Sequence, residues 1–209
     1  MSRATETPLV YEGPADCPVR DIPLVRATPA SLRNYGRLVP DPDACRIEVV
    51  QWPAPGWRPV EPGTGDEGGT TEGIFASTWD GPVLRAVNEA VQGDYVIGRS
   101  MAGGRVAFWH ANYHPDGGQL FFPLDGGAFV APLALPGDDI APEDFVAFWF
   151  DGSKGLYIHP GIWHEGVFPV AGRQRFFDRQ GKVHARINAD FVPEFGCCLA
   201  FPLAQPTSP

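Results

Sequence analysis

The sequence predicts an all-β protein, an antiparallel sandwich or barrel assembled from short strands. From Glu72 onward, runs rich in β-branched and aromatic residues recur: EGIFASTW, PVLRAV, DYVIG, RVAFWHANYH, QLFFPL, AFVAPLAL, DFVAFWF, LYIHP, RFFDR and VHARINADF. Glycine, proline and other turn-forming residues separate them, as antiparallel connections require. The 25 glycines and 23 prolines make the chain turn-rich, while its 44% hydrophobic content keeps it globular rather than disordered. No helical repeat, heptad or low-complexity array competes with this pattern.

Taken in order, residues 1–27 are interrupted by prolines and lack periodicity, which predicts an extended N-terminal arm lying on the domain or on a partner subunit. Residues 28–209 are expected to form a single barrel domain, a length that buries a sizeable core. Thr28 as N-cap, Pro29 at the first helical position and Gly36 as a stop predict one short helix. The run RIEVVQW, Arg46 to Trp52, predicts a strand. The loop that follows, PAPGWRPVEPGTGDEGGTT, is acidic and has neither lysine nor a GxxxxGK[ST] pattern. It is therefore expected to be an edge loop or pocket lid rather than a phosphate cradle.

A net charge of -9 excludes the basic stripe that a nucleic-acid partner needs. The opening MSRATETPLVYEG lacks a basic-then-apolar leader, and no apolar run approaches the roughly 20 residues of a membrane span. No membrane partner is expected, and a soluble cytoplasmic protein is. Cys17, Cys45, Cys197 and Cys198 show no CxxC spacing and are expected to be reduced and structural.

Chemistry concentrates between His110 and His164, where four of the five histidines fall as the pairs His110/His114 and His159/His164. Alternation along a strand points His110, Asn112 and His114 to one face and Ala111 and Tyr113 to the other. If that face lines the inside of a barrel, burial of three polar groups demands partners, and a metal or a polar substrate is the natural one. A lone histidine is ordinarily a hydrogen-bonded structural residue, and His184, which stands apart in KVHARI, is expected to be an exposed strand residue rather than a ligand. Four in two glycine-flanked groups point instead to a pocket.

These groups resemble the paired motifs of the cupin barrels. Asn112-Tyr113-His114, Gln119 and Gly126 stand where the first motif has His-x-His, glutamate and glycine, and His159, Gly161 and His164 hold the places of PxGxxH. A narrower resemblance is to the ureidoglycolate lyase family, once called ureidoglycolate hydrolases. It is carried by His114-Pro115-Asp116-Gly117-Gly118-Gln119-Leu120-Phe121-Phe122-Pro123, by ALPGDD at Ala134 to Asp139, by His159 to Trp163-His164 and by Asp178-Arg179. SLRNYGRLV extends it toward the N-terminus, so the resemblance runs from Leu32 to about Phe201. The chain departs from the family pattern in an extra segment around Glu61 to Asp94, in Asn112-Tyr113 where Glu-Arg is common, and in Glu165 where a second histidine often follows.

The resemblance implies a cupin-type antiparallel β-barrel (jelly roll), usually a homodimer. It also implies a small-molecule substrate, ureidoglycolate, split to glyoxylate and urea in the purine (allantoin) breakdown route. Cleavage removes the hydroxyl proton and protonates the departing nitrogen, so one acid and one base suffice. His164, Glu165 and Arg179 are the expected catalytic residues, Arg179 clamping the substrate carboxylate with Asp178 orienting it. His110, Asn112, Gln119, His159 and Trp163 are expected to bind substrate. A divalent metal (nickel, zinc or manganese) on His114, His164 and Gln119 would acidify the hydroxyl. Two alternatives remain open at this point: a metal-dependent cupin oxygenase or isomerase, and a non-catalytic small-acid-binding cupin.

Overall fold

In the computed structural model, which describes residues 16–50, 56–64, 69–182 and 185–206, the apolar runs become strands of two sheets. In chain order they begin with β1 (Val19–Asp21), β2 (Leu24–Arg26), β3 (Gly36–Val39), β4 (Thr70–Asp80), β5 (Val83–Asn88), β6 (Gly93–Met101), β7 (Arg105–Phe108) and β8 (His110–Tyr113). They continue with β9 (Gln119–Pro123), β10 (Phe129–Ala134), β11 (Val146–Phe150), β12 (Gly155–Ile158) and β13 (Trp163–His164). The last are β14 (Phe168–Pro169), β15 (Arg173–Gly181), β16 (Ile187–Asp190) and β17 (Cys198–Pro202). One sheet has the order β1-β17-β7-β6-β5-β4-β15-β9-β12-β3; the other runs β16-β8-β13-β10-β11-β2, with β14 also on β10. The all-β class is as predicted, in two mixed sheets of jelly-roll type; among the described residues no hydrogen-bonded closure joins them into one barrel.

The sheets are held face to face by aromatic side chains on their inner surfaces. Phe129 of β10 meets Phe176 of β15 edge-on with ring centroids 5.1 Å apart, and Phe108 of β7 meets Phe168 of β14 at 5.9 Å. Such contacts add about 0.5–1.5 kcal/mol each beyond the area they bury. Along β15 the alternation buries Gln174, Phe176, Asp178 and Gln180 and turns Arg173, Arg175 and Arg179 outward. A carboxyl group and two amides thus enter the interior on the same parity as a core phenylalanine.

Several local expectations change. The described part of the expected arm contributes β1 and β2, which add parallel strands to β17 and β11 at the two sheet edges. The helix is a single turn, Pro29–Leu32, capped by a reciprocal Thr28–Ser31 pair. Gly36 does not stop it but opens β3, where it packs on β12. The described part of Arg46–Trp52 forms only a bridge from Val49 to Gly117, because Val49 and Val50 are exposed and meet no second strand. RVAFWHANYH breaks at Trp109 into β7 and β8, so the chain passes there from one sheet to the other. A second short helix, α2 (Phe191–Phe195), ends on a left-handed Gly196.

The extra segment Glu61 to Asp94 supplies β4, β5 and the start of β6, inserted in the large sheet between β15 and β7. Its leading loop lies along β16 through a Val60–Ile187 bridge and a Glu61 N–H to Arg186 carbonyl bond of 2.7 Å.

At Gly36 a Cβ would sit 1.9 Å from the Tyr157 carbonyl oxygen, so backbone would have to move to admit one. Gly36→Ala is expected to cost about 3 kcal/mol of stability, read from urea unfolding; a loss under about 0.5 kcal/mol would show that β3 does not pack this closely.

Candidate active site

Strand pairing brings the histidine groups together. On β8, His110 and Asn112 share a face and His114 follows just beyond the strand end. β13 pairs with β8 so that His164 stands opposite Asn112, while β16 on the other flank sets Asn188 opposite Asn112 and Asp190 opposite His110. Directly opposed residues of paired strands project to the same side. From the large sheet come Gln119 on β9, Asp178 and Gln180 on β15, and Asn88 on β5. Between the two lies a cavity of about 310 Å³ lined by His110, Asn112, His114, Gln119, His164 and Glu165, with Phe75, Tyr95 and Ile97 of the extra segment and its continuation forming the apolar wall. Such a volume suits a small organic acid.

Two hydrogen-bonded systems organise this wall. In the first, His164 Nδ1 faces the Ile162 carbonyl at 2.8 Å and Nε2 faces the Gln119 amide at 3.0 Å. The other end of that amide is 2.9 Å from Asp178 Oδ1. Asn88 and Gln180 donate to Asp178 Oδ2 at 2.7 and 3.1 Å. Burial pushes Asp178 up to about 7 against the opposing pull of the Gln119 and Asn88 bonds, and burial lowers the His164 imidazole below its ordinary value. Both shifts favour the uncharged pair. The Gln119 Nε2–H donates to Asp178 Oδ1, its carbonyl Oε1 faces His164 Nε2, and the Ile162 carbonyl faces His164 Nδ1.

The second system centres on His110 and Glu165. His110 Nδ1 is 2.9 Å from Glu165 Oε2 and Nε2 is 3.2 Å from Asn188 Oδ1. Glu165 Oε1 accepts the Gly166 N–H at 2.8 Å. Burial works to lower His110, but the bonded Glu165 carboxyl and nearby Asp190 outweigh it and hold the imidazole above its usual value. His114 Nδ1 faces the Ala185 carbonyl at 3.0 Å, which places the ring proton there and the lone pair on Nε2. Asn112 Oδ1 is buried and has no hydrogen-bond partner among the described residues.

The expected metal donors His114, His164 and Gln119 do come together, the two imidazoles with centroids 5.1 Å apart. In this arrangement, however, both nitrogens of His164 are engaged, one by Ile162 and one by Gln119. Neither offers a lone pair to a cation. No group of three or more His, Cys, Asp or Glu side chains suited to a metal occurs among the described residues. The donor set as held here does not fit a divalent ion.

Of the other expected site residues, Arg179 lies outside the cavity. It points from the outer face of β15 to Glu72 at 2.9 Å and to the Pro42 and Cys45 carbonyls at 3.2 Å; parity sends Asp178 inward and Arg179 outward. His159 is partly exposed and pairs with Glu48 at 3.0 Å. Trp163 is fully buried on the opposite face of β13 from His164, its N–H donating to the Gly137 carbonyl at 2.7 Å. His184 lies outside the described residues. Among the described residues, the cation that lines the cavity is Arg186, which is absent from the residues expected at the site. Alternation in HARINAD gives the signal, since Arg186, Asn188 and Asp190 share the parity opposite to Ile187 and Ala189.

Comparison with known proteins bears on this segment. Residues 108–191 match the family model of ureidoglycolate lyase. A protein named ureidoglycolate lyase from Stutzerimonas stutzeri is 39% identical over 70 residues, which is 32% of this chain and 41% of that protein. Proteins of the same name from Azotobacter vinelandii and Pseudomonas savastanoi pv. phaseolicola are 37% and 38% identical over 70 and 71 residues, 32% and 33% of this chain and 42% of each of theirs. The matched stretch therefore spans about two fifths of these relatives.

Because the folded protein holds the Asp178 proton up to about pH 7, whereas the unfolded chain releases it near 3.8, folding takes up a proton in that window. Stability contributed by the protonated acid is present below about pH 4 and is lost as pH rises toward 7. Asp178→Asn mimics the neutral acid. Its Tm relative to wild type is expected to be higher by at least roughly 3 °C at pH 8 than at pH 4.5; an equal difference at both pH values would contradict the assignment.

Proposed function

We propose that the protein is a carbon–nitrogen lyase that splits ureidoglycolate into glyoxylate and urea in purine breakdown. One observation carries this: the stretch matched by the family, 108–191, is the one that supplies His110, Asn112, His114, Gln119, His164 and Glu165 to the cavity. In the reaction the C–N bond breaks with its electron pair going to nitrogen, the hydroxyl oxygen loses a proton as it becomes the aldehyde, and the nitrogen gains one. No redox partner is needed. Glu165, buried beside the cavity and bonded to His110, is the group that takes the hydroxyl proton and returns it to the leaving nitrogen. Asn112 Oδ1 supplies an acceptor for a ureido N–H, a bond whose loss leaves a buried polar atom unpaired. Arg186 takes over the carboxylate recognition first expected of Arg179.

Nickel, zinc or manganese at His114 and His164 is a separate proposal, since it requires His164 to exchange Gln119 for the cation. Assembly as a homodimer and a place in the cytoplasm belong to the same set of proposals; no helix among the described residues is long and apolar enough to cross a membrane. Light scattering on the purified chain tests the dimer.

The decisive assay is glyoxylate release from ureidoglycolate by purified protein, after chelation and with each of the three metals restored. Wild type without turnover under every condition would sink the lyase. Glu165→Gln keeps size and hydrogen bonding but not proton transfer, so kcat is expected to fall about 100- to 10,000-fold. His164→Ala, which removes a cavity wall and its link to Gln119, is expected to cost about 100-fold, whereas Arg179→Ala should stay within about threefold of wild type once folding is verified. A loss for Arg179→Ala as large as that for Glu165→Gln would return the clamp to β15.

A further inference from the structure

Behind His110 runs a chain of side chains, from the cavity-lining Arg186 through Glu61 to Asn188, that dictates where the ring proton resides. Arg186 directs Nε to Glu61 Oε2 and Nη2 to Glu61 Oε1, the latter at 2.9 Å. A guanidinium can only donate, so both oxygens of Glu61 are acceptors. That pairing, opposed by burial, holds Glu61 down to about 2, a carboxylate at any working pH. Asn188 Nδ2 is 3.0 Å from Glu61 Oε2. A carboxylate cannot donate, so the Asn188 amide must present N–H₂ to Glu61 and Oδ1 to the other side. The amide orientation, ordinarily ambiguous, is fixed here by chemistry. Oδ1 lies 3.2 Å from His110 Nε2, and an amide oxygen only accepts, so Nε2 carries a proton.

We propose that Glu61 and Asn188 are positioning residues that lock His110 in its Nε2-protonated form, so that Nδ1 is the ring atom turned to Glu165 Oε2. That contact is 2.9 Å long. A neutral ring so locked turns the lone pair of Nδ1 toward Glu165. Were the neutral ring free to carry its proton on Nδ1 alone, it would have no lone pair there to receive the proton that Glu165 takes from substrate, the wrong-tautomer fault that disables other His–carboxylate pairs. Glu61 lies outside the matched 108–191, in the segment that departs from the family pattern, so this lock is a feature that the chain adds from outside the matched stretch.

The tautomer assignment stands apart from lyase activity; only its kinetic consequence rests on that proposal. The test is long-range ¹H–¹⁵N correlation of the histidine rings in the full chain, with ureidoglycolate kinetics on the same samples. Wild type should show His110 Nε2 protonated at every pH at which the fold persists. Asn188→Leu removes the acceptor and should give a His110 signal averaged between the two neutral tautomers, with kcat lower by at least about 10-fold and KM within about threefold. Glu61→Gln frees the amide to turn and should act in the same direction. The double variant Glu61→Gln/Asn188→Asp exchanges which side donates while keeping an acceptor on His110, and should restore both the wild-type ring signature and most of kcat; a merely structural role would not be rescued this way. A bare Nε2 in wild type, or an unchanged His110 signature in Asn188→Leu with native circular dichroism, overturns the proposal. If Asn188→Leu does not fold, failure of the double variant to keep Nε2 protonated overturns it as well. Absence of turnover in wild type would overturn the lyase and leave the ring signatures to decide the lock.

Discussion

The pairing of β8 with β13, which sets His164 opposite Asn112, is the contact on which the cavity depends. It gathers histidines that are distant in sequence onto one inner face of an otherwise aromatic sandwich. Each polar atom placed there forfeits water, at about 1–3 kcal/mol if nothing replaces it. The interior is therefore stable only where chains of donors and acceptors close on themselves. Asp178, Gln119, His164 and the Ile162 carbonyl form one such chain, and Arg186, Glu61, Asn188, His110 and Glu165 form the other. Asn112 Oδ1 stands outside both, buried and without a hydrogen-bond partner among the described residues.

The two chains differ in charge and hence in use. Burial keeps the Asp178–His164 chain neutral, a rigid strut between the two sheets that holds the cavity open. The second chain carries fixed charges at its far end, on Arg186 and Glu61, and ends at the contact between His110 and Glu165. The extra segment serves both chains, Asn88 donating to Asp178 and the loop before β4 placing Glu61 on Arg186. It also provides the apolar wall through Phe75. The matched stretch 108–191 thus supplies most of the polar side chains that line the cavity, and the departing segment supports them.

Much of this was legible in the sequence because a strand's period of two is local. His110, Asn112 and His114 needed no more than parity to be placed together, and most of the β runs became strands. Chemistry and parity point different ways in RQRFFDRQG: a guanidinium is the better carboxylate clamp, yet Asp178 shares parity with buried Phe176 and Arg179 does not. Gly36 reads as a helix stop because glycine serves both turns and close backbone approach, and only the neighbouring Tyr157 carbonyl distinguishes them. Val49 and Val50 carry β propensity but meet no second strand, so propensity alone could not make a strand of the described part of this run, residues 46–50. The partners of Asp178 and Asn188 were beyond reach for a different reason. Asn88 and Glu61 are separated from them by 90 and 127 residues, and no local pattern records a contact made across a sheet.

The central claim is that the cavity between β8, β9 and β13 is where ureidoglycolate is held and broken. It is tested most directly by a crystal structure with the keto analogue, in which the carbinol carbon is a carbonyl and no hydroxyl proton exists to be removed, so that the C–N bond survives. The account predicts density in this cavity, with a ureido N–H on Asn112 Oδ1, the carboxylate toward Arg186 and the ketone oxygen within hydrogen-bond reach of Glu165. An analogue that binds elsewhere, or that enters this cavity without touching Glu165, would contradict it.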